Sequence, residues 1–249
     1  MHNSTEKAVE RAIDTMRIDM SQQLTVDDMA RAAMFSKFHF TRVFQRVTGV
    51  SPGRFLSAMR LQAAKRLLVT TSLNVTDISM QVGYNSVGTF STRFSKSVGL
   101  SPTEFRRTGG YAPRIPTSAP PTPGRTRIAG GISAPAISDR HTIFLGLFPQ
   151  PIPEGAPIRC AVLPEPGTFR FDDVPDGTWY LLCHAMAGDA LALEQDDIMC
   201  ATVGPIHSDG KGDVLRNVPL KRVSKADPPV LLALLDTRKA ALDRLAASA

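Results

Sequence analysis

Between Ser36 and Arg46 the chain places Lys37, Phe38, Thr41, Arg42, Gln45 and Arg46 in the gaps left by Phe40, Val43, Phe44 and Val47. The apolar residues recur at helical spacing and define an inward stripe. The others then form an outward row of cations, an amide, a hydroxyl and a phenyl ring. A row of this kind suits the edges and phosphates of a nucleic acid. A guanidinium such as Arg42 can donate two hydrogen bonds to guanine O6 and N7, and Thr41 and Phe38 can meet a thymine methyl. A phosphate contact or a solvated charge competes closely with that reading for Arg42, and Phe38 has the alternative of packing against its own unit. Fifty residues later a second row offers Val87, Gly88, Thr89 and Thr92, which are weak hydrogen-bonding readers, with Ser86, Arg93 and Lys96 suited to phosphates. Gly88 also weakens its own helix. The first row is therefore expected to supply most base discrimination and the second mainly phosphate contacts.

Other candidate chemistry is thinner. Cys160, Cys183 and Cys200 cannot all pair with one another and show no zinc spacing, so reduced thiols are expected. Cys183-His184 would point to opposite faces of a strand, which argues against a cooperating dyad. Gly130-Gly131 and Gly210-Lys211-Gly212 fall short of a phosphate loop, and Glu194-Gln195-Asp196-Asp197 reads as a solvated loop rather than a metal site. Trp179, Tyr180 and Phe171 fit a core better than a ligand cavity. His39 has no partner ligand nearby. The expectation is no enzyme, no cofactor and no metal.

Charge separates the chain into unlike parts. The overall net charge of +6 on 249 residues conceals +7 over residues 1–111, +3 over 112–129 and −4 over 130–249. Residues 112–129 contain prolines 113, 116, 120, 121 and 123 and almost nothing apolar, and are read as a Pro-rich linker. The N-terminal residues show no signal-peptide pattern and no window is long enough to span a membrane, so a cytoplasmic protein is expected. Downstream, Thr142–Phe148, Pro157–Leu163, Thr168–Phe171 and Thr178–Met186 read as strands. Trp179, Leu181, Cys183 and Ala185 would share one face. Val230 to Ala247 reads as a terminal helix, capped by Asp227 and started at Pro228. Residues 130–249 thus form a small mainly-β sandwich-like domain with a C-terminal helix.

The upstream half contains a repeat. A shift of 50 aligns Ser36, Phe40, Phe44, Gly49, Ser51, Pro52 and Phe55 with Ser86, Phe90, Phe94, Gly99, Ser101, Pro102 and Phe105. Upstream the shift is 49, aligning Val26, Asp28 and Met29 with Val75, Asp77 and Ile78, which puts one extra residue near Asn85. Each copy reads as a helix, a tight turn, a second helix, and a Gly-x-Ser-Pro sequence opening another. Thr25 with Asp28, Ser36, Ser51, Ser86 and Ser101 are expected N-caps, with a capping box completed by Glu104, and Gly49 and Gly99 are expected left-handed terminators. Residues 52–69 read as an uninterrupted connecting helix. Two helices across a short turn form a helix-turn-helix unit, whose second helix can enter the DNA major groove. The two units, 25–48 and 75–98, would read adjacent grooves with helices 36–47 and 86–97. Arg54, Arg60, Lys65 and Arg66 are read as solvated or internally paired; Arg106 and Arg107 complement the end of the last helix.

The stretches TVDDMARAAMFSKFHFTRVFQRVTGVSPGRFL and MRLQAAKRLLVTTSLNVTDISMQVGYNSVGTFSTRFSKSVGLSPTEFRR resemble the AraC/XylS regulators of bacterial transcription, over about residues 8–108. The resemblance implies an all-α tandem helix-turn-helix domain at 1–111, with positions 38, 41 and 42 facing base edges. Many members carry a basic residue where Thr92 stands; here the arginine comes one position later. The segment PGTFRFDDVPDGTWYLLCHA resembles transthyretin-like or carboxypeptidase-regulatory-like sandwiches. The implied function is sequence-specific regulation of transcription on double-stranded DNA, with RNA polymerase as a partner if the protein activates. Residues 130–249 would sense a small-molecule effector or self-associate. The alternatives are a DNA-modifying or repair enzyme with a C-terminal catalytic domain, and a general architectural DNA binder.

Overall fold

A computed structural model describes residues 2–112, 117, 124–135, 141–187, 198–231 and 234–235. The chain forms two compact units, one of residues 1–110 with 224–232 and the other of residues 111–223 with 233–249.

The first unit is helical. Helix α1 (His2–Ile18) buries Ala8, Val9, Ala12, Ile13 and Met16 along one stripe, a periodicity present in the sequence but not read there as an element. Helices α2 (Val26–Ala32) and α3 (Lys37–Thr48) form the first helix-turn-helix, and α5 (Val75–Gln81) and α6 (Val87–Val98) the second. Between them runs α4 (Pro52–Thr70), 19 residues long, or about 28 Å at the α-helical rise. Helix α7 (Pro102–Arg107) closes the second copy. In each copy three phenylalanines stack in sequence. Phe40, Phe44 and Phe55 have successive ring centroids 5.3 and 5.4 Å apart, and Phe90, Phe94 and Phe105 repeat this at 5.5 and 5.6 Å. All six rings are fully buried, and aromatic packing of this geometry holds each second helix to the element that follows it.

The helix ends follow the expected chemistry in part. Thr25 and Asp28 form a reciprocal capping box, and hydrogen bonds from Thr25 hold the Asp28 carboxyl below the usual carboxylate range. Gly49 and Gly99 take left-handed conformations, with φ of 77° and 86°. Ser36 and Ser51 correct the expectation, since both have the extended cap backbone but neither side chain bonds the helix it precedes. The expected capping box at Ser101 is half formed: its hydroxyl accepts from Glu104 N at 3.2 Å, but the Glu104 carboxylate turns to Arg107 instead.

The second unit is a β-sandwich. Its strands are β1 (Tyr111–Ala112), β2 (Thr126–Ser133), β3 (His141–Phe148), β4 (Arg159–Leu163), β5 (Thr168–Val174), β6 (Gly177–Ala187), β7 (Ile198–Ser208), β8 (Asp213–Leu215), β9 (Val218–Pro219), β10 (Lys221–Arg222) and β11 (Leu234–Leu235). One sheet has the order β10-β7-β6-β3-β4; the other runs β5-β2-β8, with β9 also pairing β2. Ile128, Phe169 and Phe171 from the smaller sheet meet Leu145, Leu181 and Ala201 from the larger in one core. Cys183 and Ala185 lie in that core as alternation predicts, and Trp179 packs against it with its indole N–H donated to Pro175 O at 2.9 Å.

Two expectations are corrected and one strand is added. Residues 126–129 belong to strand β2 rather than to the linker, because Thr126, Ile128 and Ile132 alternate inward. Its Gly130-Gly131 disguises it: at Gly130 an added Cβ would stand 1.8 Å from Arg216 O, so a glycine is required where a strand residue would otherwise be read. Strand β7 was not anticipated, because Gly204 and Pro205 interrupt its pattern. Leu234 and Leu235, expected in a helix, form a strand in parallel register with Tyr111 and Ala112. Residues 232–233 and 236–247 of that expected helix lie outside the described residues, as do the acidic cluster 194–197 and linker residues 113–116 and 118–123.

Residues 224–232 follow β10 but complete the helical unit. Lys225 Nζ pairs with Asp14 of α1 at 2.9 Å, and Leu231 is buried. Lys65 of α4 donates to Val230 O at 3.0 Å and lies over the Phe105 ring, with its centroid 5.7 Å away. Lys65 is half-buried, and desolvation pushes its pKa down to about 8 from 10.5. The unfolded chain therefore binds more protons than the folded one between those two values. The contribution of Lys65 to stability is therefore lowest below about pH 8 and rises from about pH 8 to 10.5. Chemical denaturation across that range is expected to show the rise in the native chain and to lose this component in Lys65→Met.

Candidate nucleic-acid interface

The Phe40–Phe44–Phe55 stack turns the opposite side of α3 to solvent. Ser36, Lys37, Phe38, Arg42, Gln45 and Arg46 are exposed and Thr41 is half-buried. Phe38 is 75% exposed, so the alternative that it packs against its own unit is not realised. The Arg42 guanidinium instead lies over the Phe38 ring, 5.8 Å from its centroid, one helical turn away. The Thr41 hydroxyl donates back to Lys37 O at 2.9 Å, so it is committed to its own helix. Lys37 pairs with Asp27 of α2 at 2.8 Å. His39, Arg42, Gln45 and Arg46 line one open depression of about 500 Å³ with Val43 at its floor. The side chains of Gln45 and Arg46 make no hydrogen bond or ion pair among the described residues.

On α6, Ser86, Val87, Gly88, Thr89, Thr92, Arg93 and Lys96 are all exposed. The Ser86 hydroxyl accepts from Thr89 N at 3.4 Å and so caps the helix weakly. Arg93, expected to face phosphates, reaches back to the connecting helix, where it donates to Ser57 Oγ at 3.1 Å. Lys96 stays extended from the last turn, with no partner among the described residues. The outward side of α6 thus offers fewer uncommitted charged and amide donors than that of α3.

The two turns differ by one residue, and the difference lies where the repeat places it. Phe35 N bonds Ala30 O, and Tyr84 N bonds Ser79 O, so the turns superpose up to that point; Asn85 is the addition before α6. Met34 and Gly83 are equivalent, both with positive φ, at 60° and 87°. Met34 is 81% exposed and meets no crowding. At Gly83 an added Cβ would lie 2.5 Å from Met20 O and 2.9 Å from the Arg60 guanidinium. Only the second turn requires glycine sterically as well as conformationally.

Arg60, Ser57 and Tyr84 were not anticipated as site-supporting residues. Arg60, read as solvated or internally paired, is bonded internally, and its contacts join segments 23 to 40 positions apart that no local pattern connects. Arg106 also behaves differently from expectation: it donates to Leu68 O at 2.9 Å and to Leu73 O, satisfying the end of α4 rather than that of its own helix.

Cys183 faces the sandwich core, where burial pushes its thiol up to about 12, so it is a protonated structural cysteine. Among the described residues there is no group of three metal-ligating side chains, and no helix is long and apolar enough to cross a membrane.

Comparison with known proteins agrees with this geometry. Residues 29–108 match the family described as "Helix-turn-helix domain". The lactose operon transcription activator of Staphylococcus xylosus is 33% identical over 98 residues, covering 39% of this chain and 35% of that protein. The transcriptional activator AarP of Providencia stuartii is 32% identical over 88 residues, covering 35% of this chain and 65% of AarP. This N-terminal segment is an AraC-type helix-turn-helix domain. A solved AraC-type transcriptional regulator from Chromobacterium violaceum is 25% identical with a TM-score of 0.41, covering 42% of this chain and 93% of that one. The chain spans about a third of the length of most of the curated relatives it matches. The β-rich unit lies outside the matched residues of the AraC-type domain.

Two glycines of this domain should respond oppositely to the same substitution. Gly88 has only Ser86 Oγ, at 3.7 Å, near its missing side chain, so Gly88→Ala is expected to stabilise the domain by about 0.5–1 kcal/mol. Gly83→Ala is expected to destabilise it by about 2 kcal/mol or more, through positive φ and the carbonyl contact. Urea titrations of both variants check the pair.

Proposed function

We propose that this protein is a sequence-specific regulator of transcription that reads two adjacent major grooves of duplex DNA, α3 supplying most base discrimination and α6 mainly phosphate contacts. The observation that carries this is the outward row on α3. Phe38 and Arg42 are exposed and stacked on one another, the Thr41 hydroxyl is bonded back to its helix, and the side chains of Gln45 and Arg46 are uncommitted. Arg42 is the base reader, donating to a guanine, with Phe38 and Thr41 against thymine methyls. Lys37, Gln45 and Arg46 hold the flanking backbone. On α6, Val87, Gly88, Thr89 and Thr92 face the second groove as weak readers, while Ser86 and Lys96 take phosphates and Arg93 must leave Ser57 to join them. The names of the relatives support the regulatory role, and an activating role would bring RNA polymerase as a partner.

The β-rich unit acts in this reading as the sensing or self-association part. Support comes from residues 224–232, whose neighbours β10 and β11 belong to the β-rich unit while the segment itself contacts α1 through Lys225 and α4 through Val230. A change in either strand would reach the AraC-type domain through the chain itself.

Selection from a random duplex library with the full-length protein is expected to enrich a bipartite sequence whose halves lie about one helical turn, roughly 34 Å, apart. Retention of all sequences alike would indicate an architectural binder, and covalently altered DNA would indicate an enzyme. With the enriched duplex, Arg42→Ala is expected to relax the preference at one position at a cost of about 1–3 kcal/mol, whereas Arg46→Ala weakens all sequences alike and lowers the salt slope by about 1. Equal losses across all sequences for both variants would remove Arg42 from base readout. Leu231→Asp, which expels the 224–232 segment, is expected to change affinity for the same duplex; unchanged affinity would uncouple that segment from DNA reading.

A further inference from the structure

Helix α4 does more than separate the two helix-turn-helix units. One of its side chains joins them directly. Arg60 Nε donates to Met20 O at 3.0 Å and its terminal nitrogen to Gln22 O at 2.7 Å, both on the segment that leads from α1 into the first unit. The same guanidinium stands against Gly83 in the turn of the second unit, so close that a Cβ there would be 2.9 Å from it. Met20 O, which Arg60 holds, is the other atom pressed against Gly83, 2.5 Å from the same point. One turn earlier on the same side of α4, Ser57 Oγ accepts from Arg93 of α6 and lies 3.4 Å from the Tyr84 hydroxyl. A planar, always-charged fork meeting two fixed carbonyls leaves little rotational freedom.

We propose that Arg60 is a positioning residue that fixes the orientation of α6 relative to α3 and thereby sets the spacing of the two DNA segments the protein accepts. The inference rests on the DNA-reading function above. Arg60 touches no DNA in this scheme: it acts by pinning Met20 and Gln22 of the first unit against the Gly83 turn of the second. Gly83 is the counterpart of this latch, because only a residue without a side chain admits the Met20 carbonyl and the guanidinium together. The first turn has no such neighbour, which is why Met34 can occupy the equivalent position there.

The test uses the full-length protein and duplexes carrying the enriched bipartite sequence, the same sequence with one or two base pairs inserted between its halves, and the α3 half alone. One inserted base pair displaces the second half by about 3.4 Å and turns it by about 35°. For the native protein that insertion is expected to cost about tenfold in affinity; for Arg60→Met it should cost less than about threefold, with affinity for the α3 half kept within about twofold. Arg60→Lys, which keeps the charge but loses the fork, should fall between them. A merely structural role would lower the melting temperature and leave the spacing preference untouched, so retention of the native preference in Arg60→Met overturns the proposal. If Arg60→Met fails to melt cooperatively, Arg60→Lys decides by the same measurement, and native spacing preference in that variant overturns it. A native protein that selects sequence but tolerates every spacing also overturns the latch while leaving DNA reading intact. Absence of sequence selection by the native protein would instead remove the function on which it rests.

Discussion

The outward faces of α3 and α6 depend on what their inward phenylalanines pack against. In each copy two rings from the second helix stack on one from the helix that follows, Phe55 of α4 in the first and Phe105 of α7 in the second. Rotating either reading helix about its axis would pull two rings from a fully buried stack. Burial of aromatic side chains of this size contributes about 1.5–3 kcal/mol each, so the stacks settle which residues meet solvent. Phe38 is exposed because Phe40 and Phe44 are not.

The same scaffold serves the two copies unequally. The first turn is open, with an exposed methionine in a left-handed conformation, and its helix presents a stacked arginine and phenylalanine. The second turn is closed over by Met20 O and Arg60, and its helix presents small and hydroxyl-bearing residues, with its nearest arginine drawn back onto α4. Duplication preserved the packing stripe while the outward residues diverged, as expected when the interior is constrained by contact and the exterior by whatever it binds.

Residues 224–232 qualify the picture of an N-terminal domain joined by a tether to a separate one. They return from β10, place Leu231 in the helical unit and bring a backbone carbonyl to the ammonium of Lys65. An ammonium partly removed from water against a carbonyl and a ring face is costly to keep charged, which is the physical content of its lowered pKa. The helical unit is incomplete without a segment lying more than a hundred residues beyond its last helix.

Much of the AraC-type domain was legible because its determinants are local and occur twice. Helical periodicity, Gly-x-Ser-Pro boundaries and the one-residue offset at Asn85 all appear in order along the chain, and the outward row of α3 follows from the inward one. The strands β3 to β6 were legible for the same reason, from alternation between turn residues. Strand β2 was hidden because Gly130 answers to a carbonyl 86 positions away, and β7 because a glycine and a proline interrupt it. Leu234 and Leu235 pair with Tyr111 and Ala112 across the length of the β-rich unit, a contact that overrides their helical spacing. The sequence by itself determined the duplicated units, their boundaries and the residues offered to a nucleic acid. Only the tertiary structure decided that Arg60 grips two distant carbonyls, that Arg93 is engaged by Ser57, and that 224–232 belongs to the helical unit. Those are pairings between segments far apart in the chain, and a one-dimensional pattern contains no term for the distance between them.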